Sequence, residues 1–378
     1  MNKVYFPNLN GLRFIAALLV IIHHVEQFKS LLGYENHKPN VIVNGIGKLG
    51  VILFFVLSGF LITYLLLAEE EETKTISVKD FYIRRILRIW PLYYLVIVLS
   101  FFIFSRISFL EISHWSALLF ERFSLKLILF IVFLPNLALI TFPPVPYASQ
   151  AWSVGVEEQF YFLWPVLMKK VKNKAFVLYS VIISYLFIFL VGFPILKLFY
   201  WSNYIQVVKE FMHFCNIDCM AIGGVFALYL FKKNKILAFF YHKYVQLFTL
   251  IAVIGLIISG YSIPYVYVEI MAVLFGVIIL NLASNLNCIM KLEYRPINYL
   301  GKISYGLYMF HPLGIIISLK VLNHMGTRNI ILQYFFCILL TTVIAGISYH
   351  FFESYFIRKK AQFSKILSGD IVRVKNIQ

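Results

Sequence analysis

The chain has 378 residues, of which 61% are hydrophobic, 18% aromatic and only 13% charged, and its formal net charge is +17. This balance lies far from that of a soluble globular domain and excludes one as the main body of the protein. A basic surplus suits a nucleic-acid partner in a soluble protein, but here the basic residues cluster in short loops between apolar runs. That arrangement is typical of membrane topology. We therefore predict an all-α polytopic membrane protein with no nucleic-acid partner.

Apolar runs long enough to cross a bilayer recur along the chain. In chain order they lie at 12–28, 48–67, 90–105, 125–142, 159–168, 175–192, 211–231, 245–260, 264–284, 303–319 and 331–352. Cytoplasmic loops carry the excess of lysine and arginine in such proteins. Basic clusters therefore predict cytoplasmic segments at 74–88, 169–174, 232–243 and 358–375, and the loop 261–266, which has no basic residue, is predicted to lie outside.

The cytoplasmic positions of the basic clusters require the chain to cross the membrane an odd number of times between Ser105 and Lys169. Two apolar runs lie there, however. We predict that 125–142 and 160–167 do not both span fully, which leaves a bundle of about ten transmembrane helices with both termini cytoplasmic. A broken or re-entrant segment at membrane depth normally lines a cavity. Glu157 and Glu158 are assigned to this broken region.

The predicted organisation is a transmembrane domain over 1–357 and a short basic cytoplasmic tail over 358–378. The first apolar run does not read as a cleaved signal peptide, because Arg13 and two histidines lie within it and no small-x-small site follows. The four cysteines form no CxxC pair and lie in apolar surroundings, so we predict packing roles and no metal site.

Arg13 and His24 stand eleven residues apart within the first apolar run. At about 100° per residue, eleven steps return to within about 20° of the starting direction while rising about 16 Å, so both side chains share one helix face. His23 falls about 80° off that face. Such groups are costly in lipid, which predicts that they face a protein interior or a wet cavity. A snorkelling arginine and a hydrogen-bonded core histidine remain the alternative.

Seven sequence motifs, spread over about residues 5–358, are similar to those of a known family. They are PNLNGLRFIAALLVIIHH, LGVILFFVLSGFLITYLL, FYIRRILRIWPLYYL, AWSVGVEEQFYFLWPVL, IDCMAIGGVFA, LGKISYGLYMFHPL and SYHFFESYF. In this order they resemble the membrane acyltransferase 3 family. The resemblance implies a multi-pass enzyme of the inner (plasma) membrane that moves an acyl group, usually acetyl, from cytoplasmic acyl-CoA to a hydroxyl of a glycan acceptor. It implies acetyl-CoA as a donor substrate, no bound cofactor, and a stand-alone form without an appended hydrolase-like domain.

The family's motifs map onto individual residues here. Its Arg-x10-His pattern falls on Arg13 and His24, and its Arg-x-x-Arg pair falls on Arg85 and Arg88 as donor-binding residues. Guanidinium groups bind phosphate in a bidentate way, although these arginines could also only set topology and touch lipid headgroups. Histidine titrates near neutral pH and suits a general base, so His24 is predicted to be the base or an acyl relay in the outer half of the first span.

The Trp-Ser-x-x-x-Glu pattern of the family falls on Trp152, Ser153 and Glu157, with Tyr161 one turn further on. A carboxylate at Glu157 is predicted to orient His24 and stabilise its charged form, as the third member of a triad does. Arg13 is predicted to hold the donor or a carboxylate. Glu158 is predicted to point elsewhere, as part of a helix start.

Weaker candidates for supporting roles are Asp218, Tyr305, Tyr308 and His311. Ionisable groups in apolar segments suggest function, but a structural hydrogen bond between helices explains them equally well. Ser58 and Gly59 are predicted to mark close helix packing. The rival function is a polysaccharide or lipid transporter or flippase, in which the buried Arg, His and Glu would be substrate or proton sites. That function predicts inverted repeats with matched broken helices, and the sequence has no repeat of this kind.

Overall fold

The computed structural model describes residues 3–199, 202–260 and 266–368. The predicted outer loop therefore lies outside the described residues from 261 to 265, as do Arg373 and Lys375 of the predicted tail. The prediction of an all-α polytopic membrane protein is confirmed, since eight helices of the described chain are long and apolar enough to cross a bilayer. Strand structure there is limited to a short parallel pair, β1 (Lys3–Val4) with β2 (Leu367–Ser368).

Three long helices open the chain: α1 (Leu9–Leu31), α2 (Val41–Thr73) and α3 (Val78–Val98). Polar caps fix two of their starts. The Asn40 side chain accepts from the first backbone N–H groups of α2, and Ser77 does the same for α3. These side chains satisfy amide groups that have no partner within the helix.

A broken segment follows, with α4 (Ser113–Leu118), α5 (Phe123–Ile131) and α6 (Pro135–Thr141), and then the continuous α7 (Trp152–Lys170). Helices α5 and α6 have 9 and 7 residues, whereas a full span needs about 20. The predicted break in 125–142 is therefore present. Placing Glu157 and Glu158 in it was wrong, because both lie in α7; a charge map counts crossings but does not fix where the chain bends.

Eleven further helices complete the bundle. They are α8 (Lys174–Phe187), α9 (Phe193–Phe199), α10 (Asn203–Cys215), α11 (Ile217–Phe231), α12 (Leu237–Tyr241), α13 (Lys243–Ser259), α14 (Tyr267–Ser284), α15 (Arg295–Lys302), α16 (Ser304–His324), α17 (Ile330–Ser348) and α18 (Ser354–Lys360). Helix α13, with 17 residues, is a shorter apolar helix beside the eight long apolar segments of the described chain. The bundle of about ten spans stays a prediction.

One span has a break that the sequence did not reveal. The apolar run expected at 211–231 begins earlier, and Asn216 separates α10 from α11 in the left-handed conformation, with φ 38° and ψ 41°. Asparagine is among the few residues other than glycine that visit this region routinely. No proline or glycine marks the position in the sequence, so hydropathy alone predicts a continuous helix there.

Helices α2 and α11 pack with their backbones in direct contact. A Cβ atom added at Gly59 would overlap the Met220 carbonyl group, and one added at Gly223 would overlap the Val56 carbonyl. Small residues allow this approach between membrane helices. The predicted role of Gly59 in close packing is confirmed.

The two ends of the described chain meet at one end of the bundle. Strand β1 pairs with β2, and the Arg84 guanidinium on α3 donates to the Phe363 carbonyl at 2.8 Å. A second nitrogen of Arg84 forms an ion pair with Glu69 of α2 at 2.8 Å. The first part of the predicted tail therefore packs against the bundle, because Arg84 binds backbone that lies 279 positions further along the chain.

Candidate active site

A cavity of about 200 Å³ lies between α1, α2, α3, α7 and α16. The sequence predicted eight of the residues that line it: Arg13, Arg85, Arg88, Ser153, Glu157, Tyr161, Tyr305 and Tyr308. These residues come from four helices, and the fold brings them together around one space. Sequence reasoning did not assign Asn10, Ser304 or Lys360 to the site, and it treated Ser58 only as a packing residue.

The arginine side of the cavity belongs to α3. The Arg85 guanidinium carbon lies 5.5 Å from the ring centre of Phe81 and 5.6 Å from that of Tyr161. Its Nε atom is buried and has no hydrogen-bond partner within the described chain. Arg84 has a different role, since its ion pair and backbone contact occupy it. Arg85 and Arg88 are thus directed to the cavity, while Arg84 stabilises the fold.

Arg13 is held by a chain of hydrogen bonds that starts in α15. Its guanidinium donates to the Asn10 side chain at 3.0 Å, and the Asn10 amide donates to the Asn298 oxygen at 3.0 Å. The Asn298 amide in turn donates to Glu293 at 2.6 Å. The carboxylate therefore fixes the orientation of both amides. The position of Asn10 one turn before Arg13 is the sequence signal for the nearest of these contacts.

Glu157 forms the acidic part of the cavity. Its carboxylate accepts from the Tyr161 hydroxyl at 2.6 Å, and the Tyr161 hydroxyl also bonds to that of Ser58. Ser153, Glu157 and Tyr161 are spaced by four residues, which places them on one face of α7. Glu158 points elsewhere, as predicted, and accepts from the Trp90 indole at 2.8 Å.

Two hydroxyl groups that line the cavity contact each other. The Ser153 and Tyr308 hydroxyl oxygens are 2.7 Å apart, and Tyr308 donates to the Gln150 carbonyl at 2.9 Å. The Phe54 ring packs against Tyr308 with a centroid separation of 5.9 Å. These contacts join α16 to α2 and to the start of α7.

His24 does not line the cavity. Its ring centre is 4.6 Å from that of His311, and the expected contact with Glu157 is absent from the described structure. His24 Nδ1 lies 2.8 Å from the Val20 carbonyl oxygen, and His311 Nδ1 lies 2.6 Å from the Tyr308 carbonyl oxygen. Because a carbonyl oxygen only accepts, we assign the hydrogen to Nδ1 in both neutral rings. Each Nε2 then keeps its lone pair.

His23 has separate contacts, as the helical-face argument predicted. Its Nδ1 lies 2.9 Å from the Val43 carbonyl oxygen, and its ring packs where a Cβ of Gly47 would lie. His24 and His23 therefore have different surroundings although they are adjacent in sequence.

Besides His311, two predicted supporting residues lie outside the cavity. Trp152 packs edge-on against Phe55 and Phe214, at centroid distances of 6.2 and 5.1 Å. Asp218 is fully buried near the start of α11. The structure does not bring either of them to the residues around Glu157.

The bundle and its arginine-lined cavity define a polytopic membrane protein with a charged internal site. The chain belongs to the acyltransferase family, whose acyltransferase-domain model matches residues 6–350. This match confirms the resemblance drawn from the motifs.

Curated relatives carry names of the same kind. The chain is 26% identical over 394 residues to the peptidoglycan O-acetyltransferase OatA of Listeria monocytogenes, covering 93% of this chain and 56% of that protein. It is 27% identical over 387 residues to the putative peptidoglycan O-acetyltransferase YrhL of Bacillus subtilis, with 92% and 54% covered. A putative O-acetyltransferase of Staphylococcus aureus is 27% identical over 370 residues, with 93% and 57% covered. The chain spans little more than half the length of these relatives. No solved structure matches it.

Proposed function

We propose that this protein transfers an acyl group, in the simplest case acetyl, from cytoplasmic acyl-CoA to a hydroxyl of a cell-envelope glycan. The observation that carries the proposal is the cavity, where Arg13, Arg85 and Arg88 converge beside Glu157 and several hydroxyl groups. Cations at one end suit a phosphate-rich donor. The names of the curated relatives support a carbohydrate acceptor, with peptidoglycan as the first to test. We place the protein in the plasma membrane with both termini cytoplasmic.

In the proposed reaction the acceptor oxygen forms an ester bond with the acyl carbon, and the carbon–sulfur bond of the thioester breaks. The hydroxyl proton leaves to a base, and the thiolate is protonated to give free coenzyme A. His24 is the proposed base, because its Nδ1 is occupied by a carbonyl and its Nε2 lone pair is available. His311, rather than Glu157, is its neighbour.

Glu157 has a different proposed role. Its carboxylate attracts Arg85 and Arg13 and accepts from Tyr161, so we propose that it positions these groups around the donor. In this proposal the acyl group, still joined to sulfur in the thioester, passes the Ser153–Tyr308 contact to reach His24, which requires the two hydroxyl groups to move apart during turnover.

The test is incubation of the purified protein with acetyl-CoA labelled in the acetyl group and with peptidoglycan fragments or other glycans. We expect labelled ester on the glycan and release of one coenzyme A for each ester formed. Transport of a glycan or lipid across vesicles without consumption of acetyl-CoA would overturn the proposal and support the transporter alternative.

A further inference from the structure

Lys360 is buried beside the cavity, a position that its sequence context did not indicate. It is the last residue of α18, and in the sequence it belongs to a basic run that topology alone explains. In the structure it is only 6% exposed. It lines the main cavity and also a smaller cavity. Arg85 lines both cavities as well. A buried lysine with a flexible stem and a compact charge is suited to an anion.

The fold holds Lys360 there through α3. Arg84 binds the Phe363 carbonyl, three residues beyond Lys360, and the Ser364 hydroxyl donates to the Lys360 carbonyl at 3.1 Å. Helix α3 carries both Arg84 and the cavity-facing Arg85. The same helix therefore presents Arg85 and fixes the backbone that presents Lys360.

The charge balance of the cavity favours a ligand with several negative charges. Among the described residues that line it, the cations are Arg13, Arg85, Arg88 and Lys360, and the only carboxylate is that of Glu157. Glu69 lines the smaller cavity alone and is paired with Arg84. Glu158 and Glu353 lie outside the lining and attract Arg85 and Arg88, but within the lining the cations still outnumber the carboxylate, which favours an anionic ligand.

The cavity is too small to hold the whole of such a ligand. A volume of about 200 Å³ is below that of ordinary drug-sized ligand sites, which are about 300–1,000 Å³. A nucleotide does not fit in this volume together with the acyl group and its slender arm. We therefore place the nucleotide where Val4, Tyr5 and Lys360 line the cavity, near the paired ends of the described chain.

We propose that Lys360 binds a phosphate group of the acyl-CoA donor at the mouth of the cavity, so that the segment following the last span forms part of the donor site. This inference rests on the proposed function, which makes acyl-CoA the donor. It adds a donor-binding residue from the opposite end of the sequence to the arginines of α3.

The test compares two donors and two neighbouring lysines. Acetyl-CoA carries phosphates, whereas acetyl-pantetheine has the same thioester and none. For Lys360→Gln we expect the KM for acetyl-CoA to rise roughly tenfold, in line with the loss of one charge-assisted contact, while the KM for acetyl-pantetheine stays unchanged. Lys359→Gln is the control, because Lys359 is exposed and its ammonium lies 4.4 Å from the Tyr355 ring centre. This control should leave both KM values unchanged.

Lys360→Met is measured alongside, because it keeps the apolar stem and removes only the charge. An equal loss with both donors would overturn the proposal and indicate a structural role. An unchanged KM for acetyl-CoA in Lys360→Gln or in Lys360→Met would overturn it as well. Failure of the proposed function itself is distinguishable, since the unmodified protein would then form no product from acetyl-CoA.

Discussion

At the scale of single residues, backbone carbonyls determine what the two buried histidines can do. The Val20 and Tyr308 carbonyls each engage one Nδ1 and leave the two Nε2 atoms with free lone pairs. This tautomer is the one that a general base requires. The sequence located His24 through its helical face, but its neighbour is set by α16, which is almost 300 residues away.

His24→Ala should abolish acyl transfer, with turnover reduced by roughly a thousandfold or more, because proton removal from the acceptor hydroxyl loses its base. His23→Ala should retain most of the activity, since the His23 ring packs against Gly47 of α2 and its Nδ1 contacts the Val43 carbonyl. Both variants are compared by rates of ester formation and by melting temperature. Equal loss of activity in two equally stable variants would contradict the assignment of the base.

Glu157→Gln should lower kcat by about a hundredfold, because the neutral amide no longer attracts Arg85 and Arg13. Glu158→Gln is the matched control and should have a mild effect, since Glu158 bonds to Trp90 away from the cavity. The measurement is steady-state kinetics of purified variants. A larger loss in Glu158→Gln than in Glu157→Gln would show that the wrong acid had been chosen.

At the scale of elements, the close contact of α2 with α11 fixes the position of α2, which carries the cavity-lining residue Ser58. Gly59 follows Ser58 directly. One turn of α2 therefore places the Ser58 hydroxyl at the cavity and Gly59, which has no side chain, against α11. The motif sequence predicted the packing role of Gly59. It did not predict the bond from Ser58 to Tyr161, because that bond depends on how α2 and α7 are placed relative to each other.

Gly59→Ala should destabilise the protein by at least about 2 kcal/mol, because the new methyl group meets the Met220 backbone and neither helix can yield locally. Gly255→Ala on α13 provides the control, since no atom lies within 4 Å of the added Cβ. Thermal unfolding in detergent measures both. Similar melting temperatures for the two variants would refute the close approach of α2 and α11.

At the scale of the whole molecule, the class of protein could be predicted because it depends on local hydrophobicity and charge. The resemblance supplied most of the cavity residues. Contacts between distant parts of the chain could not be predicted in this way. Arg84 with the Phe363 carbonyl and His24 with His311 are examples, since no local pattern records which distant group a side chain meets.

The orientation of the bundle can be tested with cysteine substitutions in exposed loops. Glu35→Cys lies between α1 and α2, and Lys233→Cys lies between α11 and α12. With both termini cytoplasmic, a membrane-impermeant maleimide should label Glu35→Cys in intact cells and Lys233→Cys only after lysis. The native Cys215, Cys219 and Cys337 are buried and give little background, and the partly exposed Cys288 is replaced by serine in both variants. The opposite labelling pattern would invert the proposed topology.

The contact between Ser153 and Tyr308 has a further consequence for the membrane that surrounds the protein. A passage open at both faces would let protons and ions run down the gradient by which a cell membrane stores energy. With the two hydroxyl groups 2.7 Å apart and Phe54 packed against Tyr308, side chains in direct contact occupy this part of the resting bundle. An opening just wide enough for a two-carbon group would be too narrow for a hydrated ion. The protein then transfers an acyl group without letting ions leak across the membrane.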